Sequence, residues 1–60
     1  MTASDADRER AAELAAQARE LFDRQEYLKA RPLYEASLRL HEDAEVREAY
    51  QTLMSAIGPM

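Results

Sequence analysis

The side chains that could do chemistry in this chain are few, and most of them adjoin one point of the sequence. The 60 residues include one histidine and no cysteine, and the carboxylates Glu42 and Asp43 directly follow that histidine, His41. This trio could hold a metal ion only with further ligands from elsewhere in the chain. His41 is expected at the end of a helix, where an imidazole faces backbone carbonyls, so a structural role is the stronger interpretation. We therefore expect no catalytic, cofactor-binding or metal-binding residue and no enzyme.

The balance of charge argues against nucleic acid as a partner. Twelve acidic and eight basic residues give a formal net charge of −4, and such a field repels a phosphate backbone. A small helix-turn-helix DNA-binding unit is a third hypothesis, behind two kinds of protein association. Its recognition helix would offer only one basic residue, Arg47, which lies between the acidic residues Glu45 and Glu48.

The hydropathy of the sequence predicts a cytoplasmic localisation. The longest apolar run, residues 14–16, is far shorter than the ~20 residues that cross a bilayer. The first residues also lack the basic and then apolar layout of a signal peptide. We expect no membrane association, and the start and end of the sequence favour a complete short protein.

Periodicity predicts an all-α fold of three antiparallel helices at about residues 5–24, 27–41 and 44–57. Residues 1–4 are expected to be disordered, residues 5–58 to form one small domain and residues 59–60 to be a tail. The second helix carries two adjoining apolar stripes and is expected to be central. Asp43 is a predicted cap at the start of the third helix, and Gly58 followed by Pro59 is a predicted stop.

Pro32 fits the predicted second helix least well, because a proline inside a helix removes one backbone hydrogen bond and clashes with the preceding turn. Two interpretations stay open. Either the helix begins near Tyr27 and tolerates a kink at Pro32, which we favour, or Pro32 itself starts a shorter helix.

Acidic and basic residues also recur at the spacing of helix-stabilising ion pairs. Three such pairs are predicted, each with the acid four residues before the base: Glu20 with Arg24, Glu35 with Arg39, and Asp43 with Arg47. Among the tyrosines, Tyr34 and Tyr50 are expected in the core. For Tyr27, a place in the core and a place at an interface with a partner both remain possible interpretations.

The spacing of small and large apolar residues in the first two helices resembles the helix-turn-helix of the tetratricopeptide repeat. Ala18 and Ala30 stand where two helices of such a repeat cross, and the second helix matches the pattern well, at Glu26, Tyr27, Ala30, Tyr34, Ser37, Leu38 and Leu40. The first helix departs from the pattern, since Leu14, Gln17 and Ala18 replace the usual Trp, Leu and Gly, and after the second helix Glu42 replaces the usual Pro. The third helix, with Tyr50, Leu53 and Ile57, is similar to the start of a second repeat or to a capping helix.

This resemblance implies a protein-binding module whose ligand peptide lies in the groove of the first helix. The positions that would line the groove are Ala15, Arg19, Phe22, Asp23 and Glu26. Two interpretations of Phe22 stay open, a core residue or an exposed anchor for the partner. Two also stay open for Arg19, which either binds a carboxylate of the partner or pairs with a nearby acid such as Asp23. One and a half repeats are fewer than such stacks need, so either a homodimer, which we expect, or a larger protein onto which the chain docks would cover the open ends. The alternative function is a homodimeric docking or scaffold bundle whose role is assembly.

Overall fold

The computed structural model describes residues 5–58, which form three α-helices. These are α1 (Asp5–Asp23), α2 (Tyr27–Leu40) and α3 (Ala44–Ile57). The all-α prediction is confirmed, and each helix end lies within one residue of its predicted place. Residues 1–4 and 59–60, for which disorder and a tail were predicted, lie outside the described residues.

Helices α1 and α2 pack as an antiparallel pair. Ser37, late in α2, donates a 2.7 Å hydrogen bond from Oγ to the carbonyl oxygen of Ala11, early in α1. At the other end, the rings of Phe22 and Tyr27 meet edge to face with 5.2 Å between centroids. Ser37 is buried, so the small hydroxyl both allows the close approach of the helices and satisfies its own hydrogen-bonding need.

Helix α2 is central, as its two apolar stripes predict. It packs against both α1 and α3, whereas α1 and α3 touch each other only slightly. The core is formed by buried residues of all three helices: Ala18, Ala30, Tyr34 and Leu53. The two predicted crossing residues, Ala18 and Ala30, are fully buried. In α3 only Leu53 is buried, so the rest of its apolar stripe is half covered.

The turn between α1 and α2 closes without a glycine. Gln25 has a φ of 66°, in the left-handed region that disfavours side chains with a Cβ. The amide of Glu26 donates to the carbonyl of Leu21 at 2.8 Å, and that of Gln25 to the carbonyl of Phe22 at 2.9 Å. This pair of bonds is a Schellman motif, which ends α1 by satisfying its last carbonyls.

Pro32 is the sixth residue of α2, and the helix is continuous through it. The interpretation in which Pro32 starts the helix is therefore wrong. Pro32 has no N–H with which to bond the carbonyl of Leu28, and both residues are exposed to water. That exposure lets water hydrate the Leu28 carbonyl, which lowers the cost of the missing bond.

Both predicted ends of α3 are confirmed. The Asp43 carboxylate accepts hydrogen bonds from the amides of Glu45 at 2.8 Å and Val46 at 3.4 Å. Gly58 has φ 89° and ψ 154°, a conformation that glycine adopts almost alone, and its N–H donates to the carbonyl of Met54. The start of α3 is thus stabilised by the Asp43 side chain, and its end depends on a backbone conformation that glycine allows.

Candidate functional site

A cleft lies between α1 and α3, and the central helix α2 contributes one residue to its lining. Its volume is about 220 Å³, and its lining combines two aromatic rings with small and charged side chains: Arg19, Phe22, Asp23, Tyr34, Ala49 and Thr52. Tyr34 is 3% exposed and forms the floor. Ala49 brings only a methyl group from α3, so the space between the helices stays open. The cleft is therefore a concave, partly apolar surface flanked by charge.

The charges at the cleft stand one helical turn apart on α1. Among residues 5–58, neither Arg19 nor Asp23 forms one of the five ion pairs found there. The predicted pairing of Arg19 with a neighbouring acid is therefore absent from these pairs. Burial raises the pKa of the Tyr34 phenol, with a smaller opposing effect of the Arg19 charge and a smaller supporting effect of Asp23. Both charges thus lie near the cleft floor.

Three of the five residues predicted to bind a partner come together in this cleft: Arg19, Phe22 and Asp23. Ala15 lies one turn earlier on the same side of α1, is half-buried and is not part of the lining. Glu26 lies beyond the turn and borders a different depression. Phe22 packs against the core and lines the cleft as well, so neither of its two interpretations excludes the other.

A second depression, which we call the end hollow, lies between the start of α2 and the end of α3. It has a volume of about 480 Å³ and is lined by Gln25, Glu26, Tyr27, Leu28, Lys29, Ala56 and Ile57. The side chain of Leu28 beside it is 73% exposed, unusually high for a leucine. Sequence reasoning missed Leu28, although its place off both apolar stripes of α2 is a signal of an exposed apolar residue.

Helices α2 and α3 are also joined by a polar network at the surface. The Glu35 carboxylate accepts a 2.7 Å hydrogen bond from the Tyr50 hydroxyl and a 3.1 Å bond from Arg31 Nε. These two bonds lower the pKa of Glu35, that from Tyr50 most, and the same bond raises the pKa of Tyr50. Glu35 was predicted to pair with Arg39. Instead it pairs with Arg31 and faces α3, and Tyr50, predicted in the core, is half-buried and packs against the core cluster.

The third predicted ion pair is also replaced. Arg47 forms a fork with Glu42, with distances of 2.9 Å from Nε and 2.7 Å from Nη2, and these bonds lower the pKa of Glu42. Asp43 is not its partner because the Asp43 carboxylate caps α3. The remaining pair, Glu20 with Arg24, is present at 3.9 Å between exposed side chains. Exposed pairs such as these contribute little to stability.

His41 follows the last residue of α2, as predicted, and its amide donates to the carbonyl of Ser37 at 3.0 Å. Within residues 5–58, no group of three or more His, Cys, Asp or Glu side chains is placed to hold a metal ion. None of the three described helices combines the length and apolar character needed to cross a bilayer.

Comparison with known proteins found no match to this chain. No protein-family model matches the chain, and neither a curated protein nor a solved structure matches it. The likeness to the tetratricopeptide repeat therefore depends on the residues quoted above. At the level that contacts and burial establish, the chain is a small all-α domain of three helices with a charged, aromatic cleft between α1 and α3.

Proposed function

We propose that this chain is a non-enzymatic protein-interaction module of tetratricopeptide type, which binds a short peptide or helix of a partner protein in the α1–α3 cleft. The observation that carries the proposal is the convergence of Arg19, Phe22 and Asp23 with Tyr34 and residues of α3 around one concave surface. In the resembled family, the first helix of each repeat lines the ligand groove. Here α1 and α3 would be those first helices.

The shape of the cleft favours one apolar side chain of a ligand. Its volume of about 220 Å³ exceeds the ~150 Å³ of an engineered apolar cavity that binds benzene. Phe22 and Tyr34 supply aromatic surface, and aromatic residues at the centre of an interface contribute a large share of binding energy. A leucine-sized or aromatic side chain is therefore the expected anchor.

The charges favour a ligand that carries both signs. Arg19 offers a guanidinium for two parallel hydrogen bonds to a carboxylate, and Asp23, one turn later, accepts from a basic or amide group. A peptide with an acidic residue, an apolar anchor and a basic residue in succession fits this order. The chain's net charge of −4 makes nucleic acid the wrong partner, so the ligand we propose is a protein.

Selection from a displayed peptide library against the folded chain tests the proposal. The affinity of a selected peptide is then measured by fluorescence anisotropy for the parent chain and two variants, Arg19→Glu and Arg10→Glu. Both substitutions reverse one exposed charge on α1, but Arg10 lies outside the cleft and pairs with Glu13. We expect Arg19→Glu to weaken binding about tenfold or more, the loss typical of one charge-assisted contact, and Arg10→Glu to change it little.

Three results would count against the proposal. One is a selection that yields no peptide specific for the folded chain. Another is equal loss of affinity in both variants, which would indicate a general charge effect instead of the cleft. The last is binding that survives urea denaturation, since a cleft built from three helices cannot outlast them.

A second candidate function is assembly, with the chain acting as a homodimeric docking or scaffold element. The observation that favours it is Leu28, a large apolar side chain left 73% exposed beside the end hollow. Sedimentation equilibrium over a hundredfold dilution, with helicity followed on the same samples, tests this candidate. A dimer that loses helix on dilution would support it, and a helical monomer throughout would oppose it.

A further inference from the structure

Leu28 lines the end hollow and is also mostly exposed to water. The apolar residues that line it are Tyr27, Leu28, Ala56 and Ile57, and Leu28 keeps 73% of its surface in water. Leu28, Arg31 and Glu35 share one face of α2 by their spacing, and α3 covers that face at Tyr50 through the bond to Glu35. At the start of this face, Leu28 is left exposed by the described residues 5–58.

A second copy of the chain is the occupant that this arrangement fits. In a two-fold pairing, residue i of one copy contacts residue j of the other, and j contacts i in return. An exposed Leu28 that lines a hollow meets that requirement, because each copy supplies one apolar side chain and one hollow to the other. No lining residue of the end hollow lines the α1–α3 cleft, so pairing here leaves the cleft free.

The charges around Leu28 are also self-complementary. Glu26 and Lys29 border the hollow and lie 3.0 Å apart as an ion pair within the chain. A two-fold axis beside Leu28 brings the acid of one copy toward the base of the other, in both directions. An unrelated partner would need to supply this alternation independently, whereas a second copy carries it already.

We propose that the end hollow is a self-association site, in which Leu28 of each copy enters the hollow of the other and Glu26 of each faces Lys29 of the other. This inference rests on the second candidate function, assembly. A contact formed mainly by the seven residues that line the hollow belongs to the class of transient contacts, which bury less than about 1,200 Å² in total. The pairing is therefore concentration-dependent, and the monomer is the form present at high dilution.

The first test is sedimentation equilibrium up to about 1 mM chain, with Leu28→Asp compared with Ala16→Asp. Both variants add one negative charge at an exposed helix position, and Asp in the first turn of α2 suits the helix dipole, so the fold persists. We expect Leu28→Asp to raise the dissociation constant of the dimer about tenfold or more, because two apolar contacts are lost per dimer. Ala16→Asp should change it little. Circular dichroism of both variants verifies the fold.

The second test is complementation by charge reversal. Glu26→Lys and Lys29→Glu each set like charges against each other across the proposed axis, so each variant alone should associate more weakly than the parent chain. A one-to-one mixture of the two variants pairs opposite charges again, and heterodimer formation should exceed self-association of either variant.

The outcomes separate this site from the assembly function as a whole. A monomer at every concentration would overturn both. A dimer that Leu28→Asp leaves unchanged, or a variant mixture no better than its components, would overturn the end hollow and leave assembly through another surface. A dimer that responds to both tests supports the proposal.

Discussion

Replacing Gln25 by glycine should stabilise the domain, although glycine usually destabilises. Gln25 occupies the left-handed position of the Schellman motif between α1 and α2, with a φ of 66°. Its side chain is exposed, so its removal costs no core packing. The effect of Gln25→Gly is therefore decided by the backbone.

Two opposing effects set the magnitude. A residue with a Cβ costs roughly 1–2 kcal/mol in the left-handed helical conformation, and glycine removes that cost. Glycine also gives the unfolded chain more freedom, which costs roughly 0.5–1 kcal/mol on folding. The first effect is larger, so Gln25→Gly should raise the free energy of unfolding by about 0.5–1 kcal/mol. For a domain of this size, each kcal/mol corresponds to about 4–8 °C in Tm.

Urea unfolding followed by circular dichroism at 222 nm measures this change, and Gln17→Gly is the matched control. Gln17 is an exposed residue of the α1 interior, where glycine should lower stability by roughly 0.5 kcal/mol. The same substitution is thus expected to have opposite signs at two sites in one chain. If Gln25→Gly lowers stability as Gln17→Gly does, the turn between α1 and α2 does not hold Gln25 in the left-handed conformation.

Two further predictions concern α3 and its contact with α2. Asp43→Ala should lower the free energy of unfolding by about 1 kcal/mol in urea titration, because the first amides of α3 lose their cap, whereas Asp43→Asn should retain most of it. Hydrogen bonds from Tyr50 and then Arg31 lower the pKa of Glu35 in the folded state, so the stability that this carboxylate contributes is present above its ordinary pKa of 4.5 and lost as the pH falls through the lower folded value. The Tm of the parent chain should therefore fall between neutral pH and pH 3, and Tyr50→Phe should make this fall smaller. A pH dependence of Tm that is the same in Tyr50→Phe and the parent chain would contradict the Glu35–Tyr50 bond.

The helices could be predicted from the sequence because their signals are local. The apolar period of α1 and α2, Asp43 at the start of α3 and Gly58 at its end each act within one or two turns of the chain. Burial of Ala18 and Ala30 followed from the need for small residues where two helices cross. These features depend on spacing along the chain and on no knowledge of distant neighbours.

The features that the sequence did not predict depend on how α3 packs. Glu35 has two possible arginine partners on its own helix, and the Tyr50 hydroxyl bonds the same carboxylate oxygen that Arg31 does. Asp43 could either cap a helix or pair with Arg47, and two backbone amides outcompete one exposed side chain. The cleft likewise depends on how α3 packs, which no local pattern encodes, whereas the exposure of Leu28 is signalled by its place off both apolar stripes of α2.

The most direct test of the proposed interaction module is a chemical-shift map of the ¹⁵N-labelled chain titrated with a peptide selected against it. We expect the largest shifts at the amides of the residues lining the cleft: Arg19, Phe22, Asp23, Tyr34, Ala49 and Thr52. Gln17, an exposed residue of α1 that does not line the cleft, should change little. Shifts concentrated away from the cleft, or uniform loss of dispersion as the helices unfold, would contradict the proposal that α1 and α3 form the binding surface.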